Sequence, residues 1–187
     1  MKLWLVRHGR TEWSESGRHT GRTEVPLTDE GRAEARALAP ALAQHKFALV
    51  LASPRARARQ TAADAGFPDA EVEPNLAEWD YGAFEGLTIT AIRERGHPDW
   101  TIFTGPVPGG ETLAQVAARA AEVLARAERA PGDVLCFTHG HMGRLLAAVA
   151  LGVDPAFGAH LALDPAHVGV VGHEHQVGVL RRWNFRP

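Results

Sequence analysis

Apolar residues follow two rhythms along this chain: short unbroken runs, and longer stretches in which they return every three or four positions. Leu3 to Val6, Phe47 to Ala52 and Val134 to Thr138 are of the first kind. Short apolar runs bounded by polar residues suit strands of a parallel sheet buried on both faces. The second kind predicts helices. Thr28-Asp29-Glu30 offers an N-cap and first-turn carboxylates, and Ala33, Ala37, Leu38 and Leu42 recur at helical spacing to about His45. Ser53-Pro54 supplies a cap and a first-turn proline for a helix from Arg55 to Ala65, ended by Gly66. Glu111 to Ala130 places Leu113, Val116, Ala120, Leu124 and Ala127 on one face and stops at Pro131-Gly132. His141 to Leu151 forms a last helix closed by Gly152.

Two regions depart from this strand, tip, helix grammar. Leu161 to Leu163, Val168 to Val171 and Val177 to Leu180 are short β-rich pieces whose polar turns predict a meander extending the sheet antiparallel. From Glu78 to Gly110 repeated Gly and Pro leave one modest helix, about Thr88 to Arg95, and this stretch reads as a cap over the carboxyl edge of the sheet. The expected class is therefore α/β: a three-layer α/β/α sandwich with a mostly parallel sheet, an antiparallel edge and a small cap segment. With no repeat or linker-like shift in composition, residues 1–187 read as one domain carrying a cap insertion at about 78–110.

Charge narrows the partners. Twenty basic residues against 22 acidic ones give a formal net charge of -2, which leaves no global field for nucleic acid or an anionic membrane. Any anion site must be local. The single cysteine, Cys136, lies in an apolar run, which suits a core position and a reducing, cytoplasmic compartment. The apolar start, Met1 to Val6, is too short for a signal peptide, so export is not expected, and no run is long enough to span a bilayer. A homodimer is compatible with these features.

Open α/β sheets bind ligands outside the carboxyl ends of their strands. Three such ends carry unusual polar groups: Arg7-His8-Gly9-Arg10-Thr11, Ser53-Pro54-Arg55-Ala56-Arg57 and Thr138-His139-Gly140-His141. Arginine's planar fork matches phosphate oxygens, and a glycine after a histidine admits ligand or backbone close to the ring. A phosphate pocket with two imidazoles follows. Neutral imidazole attacks phosphorus when its other ring nitrogen is held as a donor, while arginines neutralise the equatorial oxygens. This chemistry needs neither metal nor organic cofactor. Glu78, in the aromatic, glycine-rich segment Glu78-Trp79-Asp80-Tyr81-Gly82, is the candidate general acid.

The motifs Arg7-His8-Gly9-Arg10-Thr11, Ser53-Pro54 with Arg57, Gln60 and Thr61, then Glu78, then Thr138-His139-Gly140 stand in the order found in the histidine phosphatase superfamily, also called phosphoglycerate mutase-like. The chain resembles that family over nearly its whole length. The resemblance implies His8 as phosphorylated nucleophile, Arg7, Arg57 and His139 as phosphate pocket, Glu78 as proton donor, and Thr20-Gly21 as a substrate contact, with Gly140 beside it. Within the family, Thr11-Glu12-Trp13-Ser14 and His139-Gly140-His141 look most like the sedoheptulose 1,7-bisphosphatase-like branch. That implies a phosphatase acting on a small phosphorylated metabolite, a sugar phosphate. Ser14 departs from the asparagine common in mutases, although its hydroxyl can still donate one hydrogen bond. The short cap and a C-terminus ending soon after Arg181-Arg182-Trp183-Asn184 offer little to shield phosphohistidine from water, which favours hydrolysis over mutase chemistry.

Other readings stand beside these. The enzymatic rival is a phosphoglycerate mutase, and the non-enzymatic one a phospho-ligand-binding module. His173-Glu174-His175 invites a metal on one strand face, against solvent-facing histidines with no further ligand converging; the second is preferred. His141 either touches the pocket or merely begins a helix. Glu85 competes with Glu78 as the acid. Trp13, Trp79, Trp100 and Phe103 either floor a substrate cleft or are buried in the cap, and burial is the commoner fate.

Overall fold

The computed structural model describes residues 1–187. Its centre is a six-stranded sheet of β1 (Leu3–Arg7), β2 (Phe47–Ala52), β3 (Glu71–Val72), β4 (Asp133–Thr138), β5 (Val168–Glu174) and β6 (Val177–Phe185), in the order β3-β2-β4-β1-β5-β6. The strands from β3 to β1 run parallel, and β5 and β6 extend the sheet antiparallel. Parallel pairing of β1 with β4 sets Arg7 opposite Thr138, which brings the tips bearing His8 and His139 side by side.

Alternation along these strands divides the core. Leu3 and Leu5 join Val134 and Cys136 on one face, and Trp4 and Val6 join Leu135 and Phe137 on the other. Helices α2 (Asp29–Leu42) and α3 (Ala56–Asp64) cover the second face; α5 (Leu113–Glu128) and α6 (Gly140–Leu151) cover the first. The result is the expected three-layer fold. Cys136 is fully buried, and loss of hydration pushes its thiol pKa up to about 12, so it acts as a small apolar filler. No helix is long and apolar enough to cross a membrane.

The segment after Glu78 holds α4 (Ile89–Glu94), capped by Thr88. Its Trp79, Tyr81, Phe84, Trp100 and Phe103 belong to the same apolar cluster as α5 and α6. This cap is therefore built into the core beneath it.

Several local expectations need correction. Ser53-Pro54 does not cap α3: Arg55 is the N-cap and makes no side-chain cap bond, while the Ala56 N–H donates to Glu24 Oε2 at 3.0 Å. Leu161 to Leu163 is not a strand, because carbonyls there serve side chains: Ala162 O accepts from Trp183 Nε1, and Leu163 O from Arg7 Nη1 at 2.7 Å. His173 and His175 do not share a strand face. β5 ends at Glu174, and His175 (φ 47°) and Gln176 (φ 70°) form the two-residue, left-handed turn into β6. No group of three or more His, Cys, Asp or Glu residues is arranged to hold a metal ion. The periodicity did not show two-residue β3, four-residue α1 (Glu12–Glu15), or three short 3-10 helices, Pro74–Leu76, Gly82–Phe84 and Pro155–His160.

Candidate active site

The polar cleft lies at the carboxyl ends of β1 and β4, and its walls include Arg7, His8, Glu78, Gly140, His141 and Arg144. His8 is 5% exposed, and its Nδ1 lies 2.8 Å from Gly9 O. A carbonyl only accepts, so Nδ1 is the donor. Burial, then Arg57 and Arg7, hold the imidazole well below its usual pKa, so the neutral ring keeps a lone pair on Nε2. The ring of His139 stands 5.2 Å away, centroid to centroid.

Each phosphate-pocket candidate is anchored by one part of its side chain and left open at another. Arg7 donates through Nη1 to Leu163 O, and Arg57 through Nη1 to Thr23 O and through Nη2 to Thr20 O and Gly21 O. The Nε of both arginines is buried without a partner. His139 Nε2 is hydrogen-bonded to Ser53 Oγ at 2.7 Å, and His139 Nδ1 is buried and unpaired. Leaving buried polar atoms unbonded costs about 1–3 kcal/mol each, and three such atoms fall on these three residues, of which Arg7 lines the open cleft while Arg57 and His139 are fully buried and do not.

Glu78 faces this cleft. Its carboxylate accepts the N–H groups of Trp79, Met142 and His141 at 3.0, 2.9 and 3.1 Å. His139, the N-cap of α6, makes no cap bond of its own, so Glu78 caps that helix from a distant segment. Glu85, the competing acid, is occupied elsewhere: it accepts the N–H of Gly21 and of Thr23, and does not line the cleft.

The remaining candidates divide. Thr20 lines the cleft, whereas Gly21 is buried behind it, where a Cβ would stand 2.5 Å from Trp79 O. Ser14 also lines the cleft, but its hydroxyl donates to Thr11 O and accepts the Thr11 N–H, closing the cap of α1. At Gly140 a Cβ would meet Arg7 Cζ at 3.3 Å, so the missing side chain makes room for that guanidinium. Gly9 admits backbone, since a Cβ there would lie 2.4 Å from Gly31 O. His141 both begins α6 and lines the cleft, bonded through Nδ1 to Tyr81 OH at 2.6 Å. Of the four aromatic candidates, Trp79 is fully buried and Trp100 and Phe103 nearly so.

Sequence reasoning missed Arg18, His19 and Arg144 among the cleft residues. Arg144 lies four residues after Gly140, one helical turn along α6, and that spacing could have found it. His19 sits in an irregular loop and carries no such signal.

A model of the histidine phosphatase superfamily (branch 1) matches residues 3–186. The chain belongs to that superfamily. It is 44% identical over 180 residues to an acid phosphatase of Mycobacterium tuberculosis, covering 94% of this chain and 88% of the relative. A sedoheptulose 1,7-bisphosphatase of Saccharomyces cerevisiae is 32% identical (80% and 67% covered), and a 2,3-bisphosphoglycerate-dependent phosphoglycerate mutase of Gloeobacter violaceus 35% identical (77% and 73%). The solved structure of an open reading frame product from Mycobacterium tuberculosis superposes with a TM-score of 0.94 at 42% identity, covering 99% and 97%. This histidine phosphatase superfamily chain thus has relatives named for both phosphatase and mutase activity.

Proposed function

We propose that the protein is a phosphomonoesterase that transfers the phosphoryl group of a small phosphorylated metabolite to His8 and then to water. One observation carries the reading: His8 is a neutral imidazole whose Nδ1 is fixed by Gly9 O, with unpaired buried donors beside it. In the first step His8 Nε2 bonds to phosphorus, the bond to the ester oxygen breaks, and Glu78 gives that oxygen a proton. Arg7, Arg57 and His139 hold the phosphoryl oxygens as charge spreads onto them. In the second, water attacks phosphorus, Glu78 takes its proton, and the N–P bond breaks. No cofactor enters either step.

A sugar phosphate is the proposed class, supported by the similarity to sedoheptulose 1,7-bisphosphatase. The mutase reading draws on the similarity to a phosphoglycerate mutase; against it, Ser14 is engaged in its own helix cap. A non-catalytic module would not need the complete set of nucleophile, cations and acid. We further propose that the enzyme works in the cytoplasm, in line with a lone unpaired cysteine, and takes neither nucleic acid nor membrane as partner.

The test is acid-labile, base-stable labelling of the protein by a radiolabelled sugar phosphate, with the fate of the label followed. Wild type should label and release free phosphate, and His8→Ala should lose both, with turnover down by roughly four orders of magnitude or more. Turnover retained by His8→Ala overturns the mechanism, and label returned as an isomerised ester selects the mutase.

A further inference from the structure

Beside the phosphate end of the cleft, on a wall shared through His19, His141 and Arg144, lies an annex of about 190 Å³, comparable with the about 160 Å³ of the phosphate end. Those three residues line both chambers. The annex is floored by Trp100, Ile102 and Phe103, each 3–4% exposed, with exposed Ile89 and Ala159 at its rim.

Much of the polar surface of the annex is already engaged within the protein. Trp100 Nε1 donates to Pro106 O at 2.8 Å, and Thr101 Oγ1 is bonded to Thr104 Oγ1 at 2.7 Å. His19 Nδ1 is bonded to Leu87 O at 2.7 Å, and His141 Nδ1 to Tyr81 OH. Arg144 spends Nε on Gly158 O and Nη2 on Ala159 O, and lays its guanidinium 4.9 Å from the centre of the Phe103 ring. The rings of His19 and His141 are nearly parallel, 14° apart, and burial keeps both imidazoles neutral at pH 7. What this chamber offers a ligand is ring faces and aliphatic edges, with the Arg144 cation and the second ring nitrogens of His19 and His141 on the wall it shares with the cleft.

We propose that the annex receives an apolar or aromatic ring carried on the substrate's alcohol, so that preferred phosphomonoesters bear such a group beyond the carbons next to the ester oxygen. Size agrees, since a dry cavity of about 150 Å³ accommodates benzene. A small polyol or glycerate phosphate fills the first chamber alone and leaves the second to water, forgoing the gain from covering its floor. The inference deepens the phosphatase reading, and names a feature of the substrate that the reaction does not require.

Two matched pairs test it, and one does not depend on turnover. Binding of 3-phenylpropylphosphonate is compared with that of propylphosphonate by calorimetry; the phenyl compound should bind roughly 10- to 100-fold more tightly, as expected for burying one ring. The corresponding phosphate esters, whose leaving alcohols are equally poor, should differ by a similar factor in kcat/KM. Ala159→Trp, which fills the annex from its rim, should abolish the preference in both assays while leaving propyl phosphate turnover unchanged. Ile89→Glu, which puts a charge at the mouth, should reduce it and serves if the tryptophan variant folds poorly. Equal binding of the two phosphonates overturns the annex assignment, as does a preference that survives Ala159→Trp in folded protein. Absence of phosphate release from either ester, with the phosphonate preference intact, would instead sink the phosphatase reading and leave the annex standing.

Discussion

At the sheet end of the cleft Arg7 Nε, Arg57 Nε and His139 Nδ1 are buried without partners, whereas around the annex Trp100 Nε1, His19 Nδ1 and His141 Nδ1 are each bonded within the protein. Both ends hold imidazoles that partial or full burial keeps neutral, so a lowered pKa alone does not mark the reacting end. The difference lies in what the fold leaves unfinished. Unsatisfied donors call for an anion, and satisfied ones leave a ligand more to gain from shape and apolar surface.

The largest effect that tests this division is at Glu78, which lies on the reacting side. Glu78→Gln keeps the size of the side chain and the oxygen that accepts from Trp79 and Met142, gives up the acceptor for the His141 N–H, and removes the transferable proton. Single-turnover phosphorylation of His8 by sugar phosphates should slow by roughly two to four orders of magnitude. An aryl ester such as p-nitrophenyl phosphate should lose much less, because its phenolate leaves without a full proton. Equal losses for both esters would remove Glu78 from the acid role. Glu85 is a poor replacement, since its carboxylate is tied to the amides of Gly21 and Thr23.

A smaller effect reports on what the two ends share. His8, His139 and His141 are held well below the usual imidazole pKa and His19 below it, in every case by burial first, with Arg57 and Arg7 adding to the effect at His8. Between those lowered values and about pH 6.5, the unfolded chain binds a proton at each of these positions and the folded chain does not. Their contribution to stability is therefore complete above about pH 6.5 and is lost as pH falls below it. Each group adds up to about 1.4 kcal/mol per pH unit to that slope. Urea unfolding of the anion-free protein should show a steep fall in stability from pH 7 to pH 5.5, to which His19→Gln and His8→Gln each contribute less steepness. A flat profile would show that these imidazoles are hydrated and protonated in the folded state.

How much was legible in the sequence follows the same line between the two ends. His8 and His139 stand at the tips of apolar runs, and Arg57 follows such a tip by five residues, so each is fixed by its own stretch of chain. The helix caps show the limit of that kind of reading. Thr28 and Thr112 cap α2 and α5 from the adjoining sequence and could be read or inferred locally. The helices beside the site, α3 and α6, borrow Glu24 and Glu78 from remote segments, a pairing that exists only once the chain is folded. His19, Tyr81, Trp100 and Phe103 come together for the same reason, from a loop and a cap with no shared period. The sequence led us to favour burial for Trp100 and Phe103, and they are indeed nearly buried, yet they also floor the annex.

The smallest expected effects come from making one chemical change at both ends. Ser53 Oγ meets His139 Nε2 at 2.7 Å, and Tyr81 OH meets His141 Nδ1 at 2.6 Å, so Ser53→Ala and Tyr81→Phe each remove a hydroxyl from a buried imidazole. Burial raises the Tyr81 pKa well above its usual value, so the phenol keeps its proton and donates it to His141. Each loss leaves a ring nitrogen unsatisfied and should cost about 1–3 kcal/mol of stability. Their effects on activity should separate. At the sheet end, a Ser53 hydroxyl that donates to Nε2 puts the His139 proton on Nδ1, the buried atom that lacks a partner and that the proposed mechanism assigns to a phosphoryl oxygen. Ser53→Ala frees that tautomer and should lower kcat/KM roughly 10-fold or more for every ester, in keeping with a lost, oriented hydrogen bond to developing charge. Tyr81→Phe should leave propyl phosphate turnover within about threefold, because the Tyr81 hydroxyl, although Tyr81 lines the reacting cleft, is spent on His141, and its trace should be a shifted ring-nitrogen signal of His141 in ¹⁵N NMR. If Tyr81→Phe slows all esters as strongly as Ser53→Ala, the annex wall is part of the reacting apparatus and the two ends are one site.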